Sequence, residues 1–230
     1  MAKNKWTFNQ RPVPTKRMKL IPMSADELTR LIGNETDARL KNAYAKMRDG
    51  VLNHPGQEVW YTAWRMERKD GGETAGYLGF LGAPDDKTAE IGCGMLEADA
   101  CRNQDDTEEA VRALCEWAFS KEGVYFVRVA ADDGDAASVR VLEKLKFKKT
   151  AGAEDGRALW ELEKPASSWM AIYMCLGLSI GLSLGMTVFD NSAIGMSIGL
   201  GIGLALGVSL DAQDKKNRVR KSDKPNDSSK

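Results

Sequence analysis

The residue types that most often carry nucleophilic, acid–base or metal chemistry are sparse here, and their spacing closes several routes. Cys93, Cys101, Cys115 and Cys175 lie far apart, without the paired short spacing of a zinc site or a thioredoxin-like motif. They read as buried or free thiols of a reducing compartment, and no metal is expected. His54 invites a general-base assignment, but it precedes Pro55-Gly56 in a loop and reads as a surface residue. Trp60, Tyr61 and Trp64 could line a pocket for a substrate, although their spacing more simply fits strand alternation within a core. The remaining group with chemical character is basic: Lys215, Lys216, Arg218, Arg220, Lys221 and Lys224 near the C-terminus. Lys plus Arg equal Asp plus Glu at 33 each, so no global field draws a polyanion to the molecule. Nucleic acid is not expected as a partner; a basic cluster beside an apolar run more often sets membrane orientation or meets anionic lipid headgroups.

The elements that position these residues divide near residue 166. Charge is dense up to Lys164, then Trp169 to Phe189 passes without any, and a second uncharged run follows Asp190, from Asn191 to Leu210. Each run is about 20 residues, enough to span the roughly 30 Å hydrocarbon core as a helix. Asp190-Asn191-Ser192 supplies a turn and a helix cap. Gly177, Gly181 and Gly185 recur every fourth residue in the first run; Gly195, Gly199, Gly203 and Gly207 do so in the second, with Gly201 added. Spacing by four places glycines on one helical face, where another backbone can approach closely. The reading is a glycine-zipper transmembrane hairpin over 167–212, able to pack on itself and to form homo-oligomers through its glycine faces. Residues 213–230 form a basic, disordered tail that stays in the cytosol by the positive-inside rule, so both ends face the cytoplasm. Met1 to Asn9 has Lys3 and Lys5 but no apolar stretch, so no cleavable signal peptide is expected.

Residues 1–166 read as one mixed domain. A strand near Met18 to Ile21 precedes a helix from about Ser24, where Ser24 and Glu27 have capping-box spacing. Strand-rich segments follow at Glu58 to Arg68, Thr74 to Leu81 and Thr88 to Leu96, separated by turn residues. Then come a helix from Thr107 to Lys121, a strand from Val124 to Ala131, a helix from Asp135 to Leu145, and strands at Phe147 to Thr150 and Arg157 to Leu162. The fold class is α+β, or mixed α/β, around a central sheet.

Several of these segments resemble one family. Glu90-Ile91-Gly92-Cys93-Gly94, followed by Cys101-Arg102-Asn103-Gln104-Asp105-Asp106-Thr107-Glu108-Glu109-Ala110, is similar to the fourth strand and pyrophosphate loop of GNAT acetyltransferases, nearest the ribosomal-protein N-acetyltransferase branch. Ala113 to Phe119 resembles that branch's third helix, and Ala137 to Phe147 its fourth helix and the entry to the next strand. With Thr15 to Pro22, the resemblance covers Thr15 to Leu162. It implies the GNAT acyl-CoA N-acyltransferase fold, with a mostly antiparallel central sheet, and acetyl-CoA as the acyl donor for direct transfer to an amine.

The resemblance assigns roles residue by residue. Glu90 becomes the candidate base that takes a proton from the attacking amine, and Ser138 a hydrogen-bond donor at the reacting centre. Met95 and Leu96 fall where strand amides meet the thioester or pantetheine. Arg102, Asn103, Gln104, Asp105, Asp106 and Thr107 occupy the diphosphate loop at the N-terminus of a helix beginning near Thr107, and Asp135 stands where the family places a cofactor-contacting Asn.

Departures from the family pattern are equally specific. The loop usually runs Gln or Arg, two variable residues, Gly, one variable residue, then Gly or Ala; here the first of those glycines is Asp105, with Asp106 next to it. Two carboxylates about 5 Å from a diphosphate, at an effective dielectric of about 20, would each cost on the order of 3 kcal/mol, roughly two decades in affinity. Lys146 replaces the glycine before the final aromatic, and Leu142 stands where many members carry a Tyr acid. The sequence thus implies a membrane-tethered N-acetyltransferase acting on a protein N-terminus or a small amine. The alternative is a weakened pseudoenzyme that binds or regulates, with the hairpin as oligomerising anchor.

Overall fold

The computed structural model describes residues 11–92, 104–154, 156–166, 168–188 and 190–220. By contact density the chain forms two units, Met1–Lys164 and Pro165–Lys230.

In the first unit the elements run β1 (Val13–Pro14), β2 (Met18–Pro22), α1 (Ala25–Asn34), α2 (Ala38–Asn53), a 3₁₀ turn (Glu58–Trp60), β3 (Ala63–Arg68), β4 (Thr74–Gly79), β5 (Thr88–Ile91), α3 (Gln104–Phe119), β6 (Phe126–Ala131), α4 (Ala136–Lys144), β7 (Lys148–Glu154) and β8 (Arg157–Glu163). The strands form two four-stranded sheets, ordered β1-β2-β3-β4 and β5-β6-β8-β7. Among the described residues only the β5–β6 pairing is parallel. A bridge between Phe80 and Ile91, with the Leu81 amide donating to the Glu90 carbonyl at 2.9 Å and the Gly92 amide to the Gly79 carbonyl at 3.1 Å, joins the two. This is the mixed, mostly antiparallel architecture expected.

Local chemistry explains most boundaries. The Ser24 capping box closes in both directions: the Glu27 amide donates to Ser24 Oγ at 3.3 Å and the Ser24 amide to Glu27 Oε2 at 2.8 Å. Such reciprocal bonds satisfy two orphan donors of α1. Between β4 and β5 the chain reverses through Asp86 and Lys87, both at positive φ (39° and 67°), with paired hydrogen bonds between Asp85 and Thr88, the geometry of a type I′ hairpin.

The structure corrects several boundaries. The strand expected from Glu58 begins only at Ala63, because Glu58–Trp60 winds into a 3₁₀ turn. Residues 93–96, expected to complete β5, lie outside the described residues. Helix α2 had no sequence expectation: its apolar stripe is only Tyr44, Met47 and Val51, and Gly50 interrupts it because a Cβ there would lie 2.9 Å from the Tyr61 Cβ.

The main core joins the buried faces of both sheets to α3 and α4, and α1 and α2 pack a smaller cluster around Leu28 and Tyr44. Trp64 is 1% exposed, and it meets Trp117 edge-on at 4.8 Å, with Trp60 at 4.9 Å from the same ring. The tryptophans that might have lined an acceptor pocket are therefore core. Tyr61 instead stacks on His54 at 3.9 Å, and His54 is an exposed residue, as expected.

In the second unit, α5 (Trp169–Thr187) and α6 (Ser192–Arg218) are long and apolar enough to cross a membrane. Asn191 caps α6, accepting from the amides of Ala193 and Ile194 at 3.0 and 3.3 Å. The buried residues of this pair are glycines alone: Gly181 and Gly185 on α5, Gly195, Gly199, Gly203 and Gly207 on α6. A Cβ on Gly199 would lie 2.8 Å from the Gly181 Cα, whereas one on Gly201 would meet nothing within 4 Å. The inner glycine faces are thus filled by each other within one chain. Asp211 ties the far end, accepting from the amides of Trp169 and Met170 at 2.8 and 3.2 Å. Residues 213–218, expected in a disordered tail, are the last turns of α6, held by an Arg218–Asp214 ion pair at 2.9 Å.

Two substitutions test these packing arguments. Lys146, exposed at the end of α4, is held at φ 66°, a left-handed conformation that a side chain disfavours by roughly 1 kcal/mol. Lys146→Gly should raise the unfolding free energy by about 0.5–1 kcal/mol in urea titration. Gly199→Leu should separate α5 from α6 and expose the Asp190 loop to protease in detergent, while Gly201→Leu should leave cleavage at the wild-type rate.

Candidate active site

The expected site residues that the structure describes lie on β5, on the first turn of α3 and at the start of α4. Ala89 and Ile91 of β5 are buried in the core, and strand alternation turns Thr88 and Glu90 to the other face. In the parallel ladder Glu90 stands opposite Arg128, and Arg128 opposite Glu161 on β8; Arg128 and Glu161 are paired at 3.3 Å. The described ladder ends at Ile91–Val129 while β6 continues to Ala131. Met95, Leu96, Arg102 and Asn103 lie outside the described residues.

Helix α3 begins at Gln104, three residues before the expected start near Thr107. Asp105, Asp106 and Thr107 therefore belong to the first helical turn rather than to a loop. None of them adopts a positive φ, so Asp105 does not need the conformation for which the family uses glycine. It is exposed, and a carboxylate at this end complements the helix dipole.

Asp106 differs from the sequence expectation most. It is 5% exposed and is gripped by two guanidiniums, Arg17 at 3.1 Å and Arg68 in a shorter contact. Arg17 also donates from its amide and Nε to Glu109 at 2.7 and 2.8 Å. Burial alone would raise the Glu109 pKa, but hydrogen bonds from Thr15 and Arg17 outweigh it and hold the carboxyl at about 2. The expected repulsion between Asp106 and a diphosphate is thereby corrected: its charge is spent on Arg17 and Arg68. Glu108, two residues on, binds Arg112 at 2.8 Å and Lys144 at 2.6 Å, tying α3 to α4.

Asp135 is the N-cap of α4, accepting from the amides of Ala137 and Ser138 at 3.1 and 3.3 Å and from the Ser138 hydroxyl. The two residues singled out there are thus occupied with each other. Leu142 is 1% exposed in the core, without a proton to donate. A cavity of about 400 Å³ opens between the first turns of α3 and the C-terminal half of α4, lined by Asp105, Glu108, Arg140, Val141, Glu143 and Lys144. Arg140 and Lys144 went unnoticed in the sequence, although their spacing by four already placed both on one face of the matched fourth helix. Cys115 is buried among apolar groups, which pushes its thiol far above the usual range and leaves it unreactive. Among the described residues no cluster of His, Cys, Asp and Glu is arranged to hold a metal.

The Asp135 cap generates a pH prediction. Its hydrogen bond from Ser138 lowers the carboxyl pKa below the ordinary value, so its stabilisation is present above the unfolded-state pKa and lost as pH falls through the folded one. Asp135→Ala should cost about 1 kcal/mol at neutral pH, with the gap to wild type closing in unfolding titrations taken progressively below pH 4.

Comparison with known proteins agrees with this geometry. Residues 11–148 match the model of the acetyltransferase (GNAT) domain. The chain is 32% identical over 126 residues to the uncharacterized N-acetyltransferase YjdG of Bacillus subtilis strain 168, covering 50% of this chain and 71% of that one. The crystal structure of the acetyltransferase from Agrobacterium tumefaciens strain C58 superposes with a TM-score of 0.50 at 17% identity, over 71% of this chain and 100% of that one, a likeness of fold. The domain model over residues 11–148 and the 32% identical relative show that the chain belongs to the GNAT acetyltransferase family.

Proposed function

We propose that the chain is a membrane-anchored N-acetyltransferase that moves acetyl from acetyl-CoA directly to an amine, either a protein N-terminus or a small amine. The observation that carries this reading is the neutralisation of Asp106 by Arg17 and Arg68, which removes its repulsion at the helix end where backbone amides would meet a diphosphate. Gln104, Asp105 and Thr107 share that turn, with Arg102 and Asn103 just before it. Glu90 would take a proton from the amine, directly or through one water, as nitrogen forms its bond to the thioester carbon. Met95 and Leu96 would supply amides to the thioester. The C–S bond then breaks, and the CoA thiolate takes its proton from solvent, since Leu142 has none and Ser138 donates its own to Asp135.

The anchor rests on a reversal of the usual polarity. A hairpin in water buries leucines and exposes polar groups, but this one buries glycines and exposes Ile180 at 53% and Met186 at 65%, with Leu, Ile and Val around them. In lipid that arrangement is favourable, because close backbone packing replaces the hydrophobic drive. The basic end of α6, Lys215, Lys216 and Arg218, would remain on the cytoplasmic side beside lipid headgroups, with the catalytic domain on the same side. Copies of the hairpin could associate only by opening the inner glycine contacts or by using outward faces. A second reading, a regulatory pseudoenzyme, retains support from the exposed Asp105 at the helix end.

Thiol release from acetyl-CoA by the full chain in detergent, over a panel of N-terminal peptides and polyamines, tests the activity. Turnover is expected, and Glu90→Gln should lower kcat by roughly a hundredfold without changing acetyl-CoA affinity. Binding without turnover on any amine would favour the pseudoenzyme. The protein should resist carbonate extraction from membranes; recovery in the soluble fraction would contradict the anchor.

A further inference from the structure

The ion pairs around Asp106 reach across the fold. Arg68 is the last residue of β3 and lies 38 positions from Asp106; Arg17 precedes β2 and lies 92 positions from Glu109. Both arginines are fixed by backbone bonds of their own. The Lys69 amide donates to the Arg17 carbonyl at 2.9 Å, the Arg68 amide donates to the Glu73 carbonyl at 2.9 Å, and Met18 and Arg68 are partners in the β2–β3 ladder. Two carboxylates, Asp106 and Glu109, meet two guanidiniums, so the set is neutral in charge and rigid in geometry.

We propose that Asp106, through Arg17 and Arg68, is a positioning residue for acetyl-CoA: it references the first turn of α3 to the β2–β3 edge and so aims that turn's amides at the diphosphate. This rests on the acetyltransferase reading above. In this chain the side-chain clamp does the work that a glycine-lined loop does in relatives, which is why Asp105 is tolerated in place of a glycine with Asp106 beside it. A buried carboxylate that pairs with two forked guanidiniums has little freedom to rotate, and a displacement of about 1 Å in a binding group costs up to a hundredfold.

The test exploits a difference in sign. If Asp106 merely repelled the diphosphate, Asp106→Asn would remove a negative charge, release two arginines and tighten acetyl-CoA binding. If it positions the turn, the same change weakens binding, and KM for acetyl-CoA rises by roughly ten- to a hundredfold while kcat at saturation changes little. Arg68→Gln, at a side chain 39% exposed and so less prone to unfold the domain, should act in the same direction with a smaller effect.

Both variants are measured in the full chain by acetyl-CoA titration, steady-state kinetics and amide hydrogen exchange over Glu108 to Arg112. Tighter binding, or unchanged affinity with only a lower melting temperature, overturns the proposal. So does unchanged exchange of those amides in both variants. Absence of acetyl-CoA binding by the wild-type chain would instead refute the acetyltransferase reading itself, and the coenzyme role with it, while the exchange data would still report whether the clamp holds α3.

Discussion

A single buried carboxylate organises the catalytic half of this protein. Asp106 sits in the first turn of α3 at 5% exposure, where an unpaired charge would carry a desolvation penalty of several kcal/mol, and Arg17 and Arg68 are the groups that remove it. Each arginine is anchored by a different strand end, so satisfying Asp106 also fixes where α3 begins relative to the first sheet. Helix α4 is tied to the same helix through Glu108 and Lys144. A fixed helix N-terminus whose buried carboxylate is already paired is the kind of end at which amides can meet a diphosphate.

The hairpin obeys a different solvent logic. Its buried positions are glycines and its exposed ones are Leu, Ile, Met and Val, the reverse of the first unit, whose core is made of Leu, Val, Trp and Phe. Where the hairpin does use polar groups, they complete backbone bonding at helix ends: Asn191 at the start of α6 and Asp211 on the first amides of α5. The polar work at these ends is capping and the work along the helices is close packing, which together hold two apolar helices in register with glycines as their fully buried residues.

Much of this was legible in the sequence because it is local. The Ser24 box, the Asn191 cap, the four-residue glycine spacing and the alternation of Thr88 to Ile91 depend on neighbours a few residues apart, and each forms as expected. What escaped depends on distant partners. Helix α2 has a stripe of only three buried residues and a glycine imposed by Tyr61. The start of α3 lies three residues before the position the sequence suggests, because Gln104-Asp105-Asp106 resembles a polar loop and its neutralising partners, Arg17 and Arg68, are distant in the chain. The same blindness turned Asp106 into an obstacle to coenzyme binding, and hid Asp135 and Ser138 as a cap. At the opposite end, residues 213–218 looked like a tail because charge there is read before the Arg218–Asp214 pairing that keeps the helix going.

The central claim is that a degenerate-looking diphosphate loop still binds acetyl-CoA. Calorimetric titration of acetyl-CoA into the full chain in detergent, at low and moderate salt, tests it most directly. Micromolar binding that weakens modestly with salt is the predicted result, since the helix amides and a charge-neutral clamp would hold the diphosphate. No detectable heat at either salt concentration, with the domain folded, would contradict it.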